Sequence, residues 1–482
     1  MVASTYLALS LYCWRKQLRP TPQRGGAPAA VLVAYASQSG QARGYAERSA
    51  EQLQDAGISV RLSPLNALDP TRLPAPRILF IASTYGEGEA PDNGARFEQR
   101  LNAARPELGD LEYAVLSFGD RHYPHFCAFG KRLDEQLRDL GATSLFDRLE
   151  ADRGDAGVLR HWQHQLAHLS GNSAFSDWLP VSYEPWQLTT RRCLNPASAG
   201  APVHHLALTP VQGEHSWRAG DLVEIGPRHE LAGVEALLAE LAHDPHQMIE
   251  GQSLAMHLSR RRIPEREQLN GMDVEALLTL PLLPHREYSI ASIPGDGSLQ
   301  LLVREARHPD GTPGLGSGWL CRHAALGETI DLRIRSNPSF HGPDAATPLI
   351  LIGNGTGMAG LRAHLRERSV HPQSRNWLLF GERNAAHDFF FRDELQHWLD
   401  SALLDRLDLA FSRDQPEKRY VQHVLRDAAD DLRRWVDQGA AIYVCGSLEG
   451  MGQEVQQILL GLLGQTQLEL LSEQGRYRRD LY

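Results

Sequence analysis

Residues 348–360, PLILIGNGTGMAG, decide how the chain is read. An apolar run, PLILI, enters a Gly-rich turn and then opens a helix, the local context of a dinucleotide-binding turn. Gly353, Gly355 and Gly357 let the backbone approach a pyrophosphate, with Thr356 between the last two. Downstream, NWLLFGE (376–382), LDLAFSR (407–413) and AIYVCGS (441–447) alternate with helical stretches, which predicts a parallel doubly wound sheet. Upstream the texture turns to β from about Val203 to Arg335, in HHLALTP, DLVEIGP, REYSIASIP, LQLLVREA and ETIDLRI. A helical stretch at roughly 230–280 interrupts it, so a β-barrel with a helical insert is expected. Strand–helix alternation appears again at the other end, with AVLVAYA (30–36), RILFIAS (77–83) and YAVLSFG (113–119) as strands. Residues 152–200 read as irregular, with a helix candidate near His161–His168. The domains expected are a tail and linker at 1–28, an α/β domain at 29–170, a linker at 171–200, a barrel at 201–345 and a second α/β domain at 346–482.

Composition sets the class. The chain has 482 residues, 42% hydrophobic and 22% charged, ordinary for globular domains with cores of their own. A formal charge of −10 excludes nucleic acid as a main partner. Cysteines 13, 127, 193, 321 and 445 have no ligand-like spacing, which argues against a disulfide framework or a metal site and for a reducing, cytoplasmic compartment. Val2–Trp14 is an apolar run of 13 residues, short of the ~20 needed to span a bilayer. Arg15, Lys16, Arg19 and Arg24 follow it, and no signal-peptide pattern is present. Two readings stay open: an amphipathic tail, or membrane contact through residues 2–19 on the cytoplasmic face of the inner membrane.

Three loops at strand carboxyl ends carry chemistry in the first α/β domain. SQSGQAR (37–43) is a hydroxyl- and Gly-containing turn opening a helix, so Ser37, Gln38, Ser39, Gly40 and Gln41 can cradle a phosphate. STYGEGEAPDN (83–93) and SFGDRHYPHFCAFG (117–130) place Tyr85 and Tyr123 where they can sandwich a flat aromatic ligand. These loops resemble the FMN site of the flavodoxin-like domain in the diflavin reductase family. The resemblance implies that residues 37–41 hold the FMN phosphate and that Tyr85 and Tyr123 flank its ring. Thr84, Gly86, Gly88, Phe118, Gly119, Asp120 and Phe126 complete the implied FMN set. The family has threonines where Ser39 and Gln41 stand, and its late acidic cluster is reduced here to Glu150, Asp152 and Asp155. Weaker FMN binding is expected from this.

The barrel and the last domain supply the rest. In REYSIAS (286–292), Arg286 can pair with a pyrophosphate, Tyr288 can contact a flavin and Ser289 can reach its N5 edge. GLGSGWL (314–320) offers a second phosphate turn through Gly314, Gly316 and Ser317. With WRAGDLVEI (217–225), these resemble the FAD domain of the ferredoxin–NADP reductase superfamily. SRDQPEKRYVQ (412–422) gathers Ser412, Arg413 and Lys418 for a 2′-phosphate, Tyr420 for adenine and Gln422 beside it. An NAD enzyme places a carboxylate on the ribose, and Glu382 is a candidate for that part, but the basic cluster favours NADPH. The resemblance further implies that Cys445 lies beside the nicotinamide, that Asp480 precedes the catalytic end, and that Tyr482 covers the FAD ring and must move for nicotinamide to stack. The family has a Pro where Gly360 stands, and its connecting insert is shortened to the 56 residues between Pro227 and Pro284.

The implied protein is an NADPH-oxidising enzyme that passes electrons through FAD and FMN to a separate acceptor, a hemoprotein such as sulfite reductase. FMN is expected to deliver them from an exposed acidic edge. Two rival readings remain. A membrane-bound form would feed a membrane haem or a ferric chelate. A flavodoxin-like docking module without FMN, attached to an FAD reductase, is motivated by Gln41 and the thinned acidic cluster.

Overall fold

The computed structural model describes residues 30–482 except 38, 39, 86, 87, 173, 174, 176, 177, 179–181, 309 and 372. The tail at 1–28, with its membrane-contact reading, lies outside the described residues. No described helix is long and apolar enough to cross a membrane. The chain divides into two compact units, one ending at Ser170 and one running Gly171–Tyr482.

The first unit is a parallel sheet of β1 (Val31–Ala36), β2 (Val60–Pro64), β3 (Arg77–Ser83), β4 (Glu112–Gly119), β5 (Thr143–Ser144) and β6 (Leu149–Asp152). Its order is β2-β1-β3-β4-β5, and β6 continues the edge by pairing with β4. Such strands need apolar residues on both sides because helices cover both faces. Helices Gln41–Asp55 and Ala156–Ser170 meet where Trp162 Nε1 donates to Ser49 Oγ at 3.0 Å and Gln52 Nε2 donates to Gln163 O at 3.1 Å. Helices Asp92–Ala104 and Ala128–Asp139 bring Phe97, Phe129 and Leu133 onto Leu32, Phe80 and Tyr113. In a doubly wound sheet of this order the chain reverses direction between β1 and β3, opening a crevice at their carboxyl ends. The helix expected near 161–168 runs Ala156–Ser170, because Leu159, Trp162 and Leu166 recur at helical spacing and are buried.

The second unit begins with an antiparallel sheet. The segment 171–200, which its texture predicts to be a linker, contains β7 (Glu184–Cys193), with Trp186 and Leu188 turned into the core. Then come β8 (Val203–Pro210), β9 (Leu222–Gly226) and the insert. Within the insert, the short hairpin β10 (Met248–Ile249) and β11 (Gln252–Ser253) stands among helices Leu231–Glu240, Leu254–Ser259 and Val274–Thr279, which share a core of their own. Two of these helices start on side-chain caps, Ser253 accepting from Met256 N and Asp273 from Ala276 N. β12 (Arg286–Ser289), β13 (Leu299–Arg304) and β14 (Thr329–Arg335) complete the order β12-β9-β14-β7-β8-β13. A single bridge between Ile290 and Leu301 links the two ends, so the sheet curls around Trp186, Val223, Leu301 and Ile330.

The unit ends in a parallel sheet of β15 (Leu349–Asn354), β16 (Asn376–Glu382), β17 (Arg406–Phe411), β18 (Ala441–Gly446) and β19 (Tyr477–Leu481). The order β17-β16-β15-β18-β19 puts the reversal at β15, directly before the Gly-rich turn. β19 has no apolar run. It forms because β18 offers an open edge, and its register sets Cys445 opposite Asp480.

Candidate functional site

At the first crevice, Ser37 follows β1. Its N donates to Asn93 Oδ1 at 2.8 Å, while its buried Oγ has no partner among the described residues. Gln38, Ser39 and Gly86 lie outside the described residues. Gly40, at φ 88, turns the chain into the helix Gln41–Asp55. A buried hydroxyl awaiting a partner at a helix start suits an anion oxygen. The Gln41 amide faces the turn at 153–154, since an ideal Cβ on Gly154 would stand 2.7 Å from Gln41 Nε2.

The two tyrosine loops pack against each other: a Cβ on Gly88 would come within 3.0 Å of His125 Cβ. Thr84 N donates to Phe118 O at 2.9 Å, and Thr84 Oγ1 accepts from Phe129 N at 3.2 Å. Tyr85 and Tyr123 leave 56% and 58% of their surface exposed, large aromatic areas at a crevice mouth. Phe118 is buried and stacked on Tyr45 at 5.3 Å. Phe126 lies under Arg121, 4.5 Å from its ring centroid. Gly119 has room for nothing larger, with Cys127 N 2.7 Å from an ideal Cβ.

The acids of the expected acidic edge have basic neighbours. Glu150 is bonded to Arg148 and Lys131, Asp152 faces Arg121 at 3.8 Å, and Asp120 accepts from Arg153 at 2.7 Å. Asp155 turns inward on the chain, accepting from the N–H groups of Gly157 and Val158. The Arg153 hydrogen bond, with those of His122, holds the Asp120 carboxyl down at about 2. Arginines thus stand beside each of these acids except Asp155.

At the second crevice, the turn at 314–317 lies against β12. An ideal Cβ on Gly316 would come 2.5 Å from Arg286 Cγ and 2.9 Å from Tyr288 Oη, so only glycine fits between them. Ser317 Oγ accepts from Ala306 N at 3.0 Å and faces Gly314 O at 3.4 Å, so this hydroxyl serves its own loop. Arg286 Nη1 donates to Pro284 O and His285 O.

Three strands converge on one oxygen beside that turn. Ser289 Oγ, from β12, donates to Asp480 Oδ2 at 2.8 Å, and Cys445 Sγ, from β18, approaches the same oxygen at 3.5 Å. Burial, reinforced by the Asp480 charge, pushes the Cys445 thiol well above its ordinary range, so it remains protonated at neutral pH. Gly360 looks onto this group: its ideal Cβ would be 3.2 Å from Cys445 Sγ and 3.8 Å from Ser289 Cβ. Tyr482 continues the β19 ladder through its N to Gly446 O at 3.0 Å, and its Oη donates to Thr356 Oγ1 at 3.1 Å.

A cavity of about 680 Å³ opens from there along the carboxyl ends of β15, β16 and β17. Gly355, Thr356, Ser412, Arg413, Lys418, Tyr420, Gln422 and Tyr482 all line it. Gly357 packs its Cα onto Cys445 O, where any side chain would overlap the carbonyl. Gln422 Nε2 donates to Glu454 Oε2 at 3.1 Å, while its buried Oε1 has no partner among the described residues. Arg304, Arg383 and Glu449 also line the cavity, with Glu382. Sequence reasoning misses Arg304, since a charge after an apolar strand marks most strand ends.

Comparison with known proteins agrees with this arrangement. Residues 33–162 match the family described as Flavodoxin, and residues 351–457 match the one described as Oxidoreductase NAD-binding domain. The chain is 31% identical to the sulfite reductase (NADPH) flavoprotein alpha-component of Yersinia enterocolitica, over 95% of this chain and 90% of the relative. Proteins of the same name from Vibrio cholerae and Bacillus subtilis are 30% and 28% identical, over 94% of this chain and 87% and 89% of their own lengths. The alignments span 546, 536 and 541 positions against 482 residues here, so these relatives carry segments that this chain lacks.

Proposed function

The chain belongs to the diflavin reductase family of the sulfite reductase (NADPH) flavoprotein alpha-components, and we propose that it oxidises NADPH and delivers single electrons to a separate hemoprotein. Bound FAD and FMN supply the redox chemistry, accepting a hydride and releasing electrons one at a time. The chain's own groups bind, orient and exclude water. The observation that carries this reading is the meeting of Ser289, Cys445 and Asp480, far apart in sequence, on one carboxylate oxygen.

In this reading Asp480 fixes two neutral donors, a hydroxyl and a thiol, at the face where nicotinamide approaches. Tyr482 covers that face until the dinucleotide arrives, and its bond to Thr356 holds it over the Gly-rich turn. Arg286 and the turn at 314–317 take the FAD pyrophosphate. Ser412, Arg413 and Lys418 take the 2′-phosphate, with Tyr420 on adenine and Gln422 beside it. In the first unit Ser37 and its turn take the FMN phosphate, and the exposed Tyr85 and Tyr123 flank the ring. Ser37 Oγ, which has no partner among the described residues, favours an FMN-loaded domain over an FMN-free docking module. The acceptor we place here is a hemoprotein of the sulfite reductase type. A cytoplasmic setting suits the free cysteines 127, 193, 321 and 445.

The test is the flavin content of the purified chain, released by denaturation and separated. About one FMN and one FAD per chain are expected. FAD alone, even after incubation with FMN, would overturn the relay and leave the first unit as a docking module.

A further inference from the structure

The dinucleotide cavity holds two opposed signals. Glu382 ends β16, the strand beside the Gly-rich turn, where a carboxylate serves NAD by accepting ribose hydroxyls. The same carboxylate would repel a 2′-phosphate. Yet β16 and β17 pair Glu382 with Phe411, next to Ser412, and Ser412 N donates to Glu382 O at 2.9 Å. The backbones of Glu382 and Ser412 therefore stand about one strand spacing apart, roughly 4.8 Å, and both residues line the cavity. A carboxylate in the same cavity repels a 2′-phosphate, so an uncompensated Glu382 would count against NADPH.

Arg304 supplies the compensation. It ends β13, in the other sheet of the unit, and its Nη2 forms an ion pair with Glu382 Oε1. The second carboxylate oxygen accepts from Arg383 N at 2.7 Å. Each oxygen of Glu382 thus already accepts one bond within the chain, which competes with a ribose hydroxyl for it. The pair lies over the turn, since an ideal Cβ on Gly355 would stand 3.4 Å from Arg304 Nη2 and 3.7 Å from Glu382 Oε1. Arg304 Nη1 is buried, has no partner among the described residues, and belongs to a side chain that lines the cavity.

We propose that Arg304 is a specificity-determining residue: by neutralising and holding Glu382 it makes the cavity select a 2′-phosphorylated dinucleotide over its unphosphorylated counterpart. This deepens, and rests on, the NADPH reading above. The clamp on Glu382 competes with ribose hydroxyls for the acceptor that NAD would use, and the Arg304 charge offsets the repulsion that NADP would meet.

The experiment is calorimetric titration of the flavin-loaded full chain with 2′,5′-ADP and 5′-AMP, which bind without reacting. The wild type is expected to prefer 2′,5′-ADP. In Arg304→Leu the ratio of the two affinities should fall roughly tenfold or more, through loss of 2′,5′-ADP binding and gain or retention of 5′-AMP binding. Arg304→Leu/Glu382→Gln should bring the ratio back to within about threefold of wild type, since the conflicting charge is gone. An unchanged ratio in Arg304→Leu, equal weakening of both probes, or a double variant that does not recover would each overturn the proposal. A wild type without preference would instead sink the NADPH reading itself. Should Arg304→Leu lose its flavins, Arg304→Gln, neutral and closer in size, carries the same test.

Discussion

His364 shows how much a single side chain can matter away from the chemistry. It is fully buried in the helix Met358–Arg368, between the rings of Phe340 and Tyr443 at 5.2 Å each. Burial, with the charges of Arg368 and His341 nearby, pushes its pKa down to about 3. The sign of the linkage follows. As pH falls below about 6.5, the unfolded chain takes up a proton at this imidazole and the folded chain does not. Stability from this residue is complete above about 6.5 and is lost toward pH 3, by about 1.4 kcal/mol per pH unit at the steepest. Urea midpoints at neutral and mildly acid pH should therefore converge in His364→Leu relative to wild type. An identical acid slope in both would show that His364 is not a source of acid sensitivity.

Among the elements, the turn at 314–317 makes the sharpest prediction. Val at Gly316 must displace Arg286 and Tyr288, so Gly316→Val should retain FMN while its affinity for FAD falls roughly tenfold or more. The FMN to FAD ratio of the purified variant reads this directly, and an unaltered ratio would show that the turn lies away from the flavin. The elements legible in the sequence were those with apolar runs bounded by turn residues. PLILI, NWLLF, AIYVC and RILFI are strands as read, and the loops after them gather at strand carboxyl ends because parallel topology leaves no other place for them. β7 and β19 were not legible as strands. Glu184–Cys193 is mostly polar with two inward residues, and Tyr477–Leu481 is strand only because β18 pairs with it. The cavity residues of SRDQPEKRYVQ were legible because they are local in sequence. Arg304 was not, since its meaning depends on an acid from another sheet. The basic neighbours of the rim acids were hidden for the same reason: counting acids in a segment says nothing of the arginines that fold beside them.

At the scale of the whole molecule, charge is distributed differently from the total. The chain carries −10 in all, yet the rim of the first crevice sets Arg121, Arg148 and Arg153 against Asp152, Glu150 and Asp120. Long-range steering by such a rim is weak, and delivery to an acceptor then depends on short-range fit. Electron transfer to a hemoprotein acceptor should accordingly change by less than about threefold between about 50 and 500 mM salt. A steep fall over that range would place the docking charges elsewhere on the chain. The strand β19 carries a practical lesson for anyone handling this protein. The Tyr482 backbone is held on both sides, its N–H donating to Gly446 O and its backbone oxygen accepting from the N–H of Leu448, while its ring stands at the wall of the dinucleotide cavity. A purification tag or electrode linker fused after Tyr482 would start at the wall of that cavity. Such a fusion should raise the KM for NADPH, and cutting it off at Tyr482 should restore the lower value.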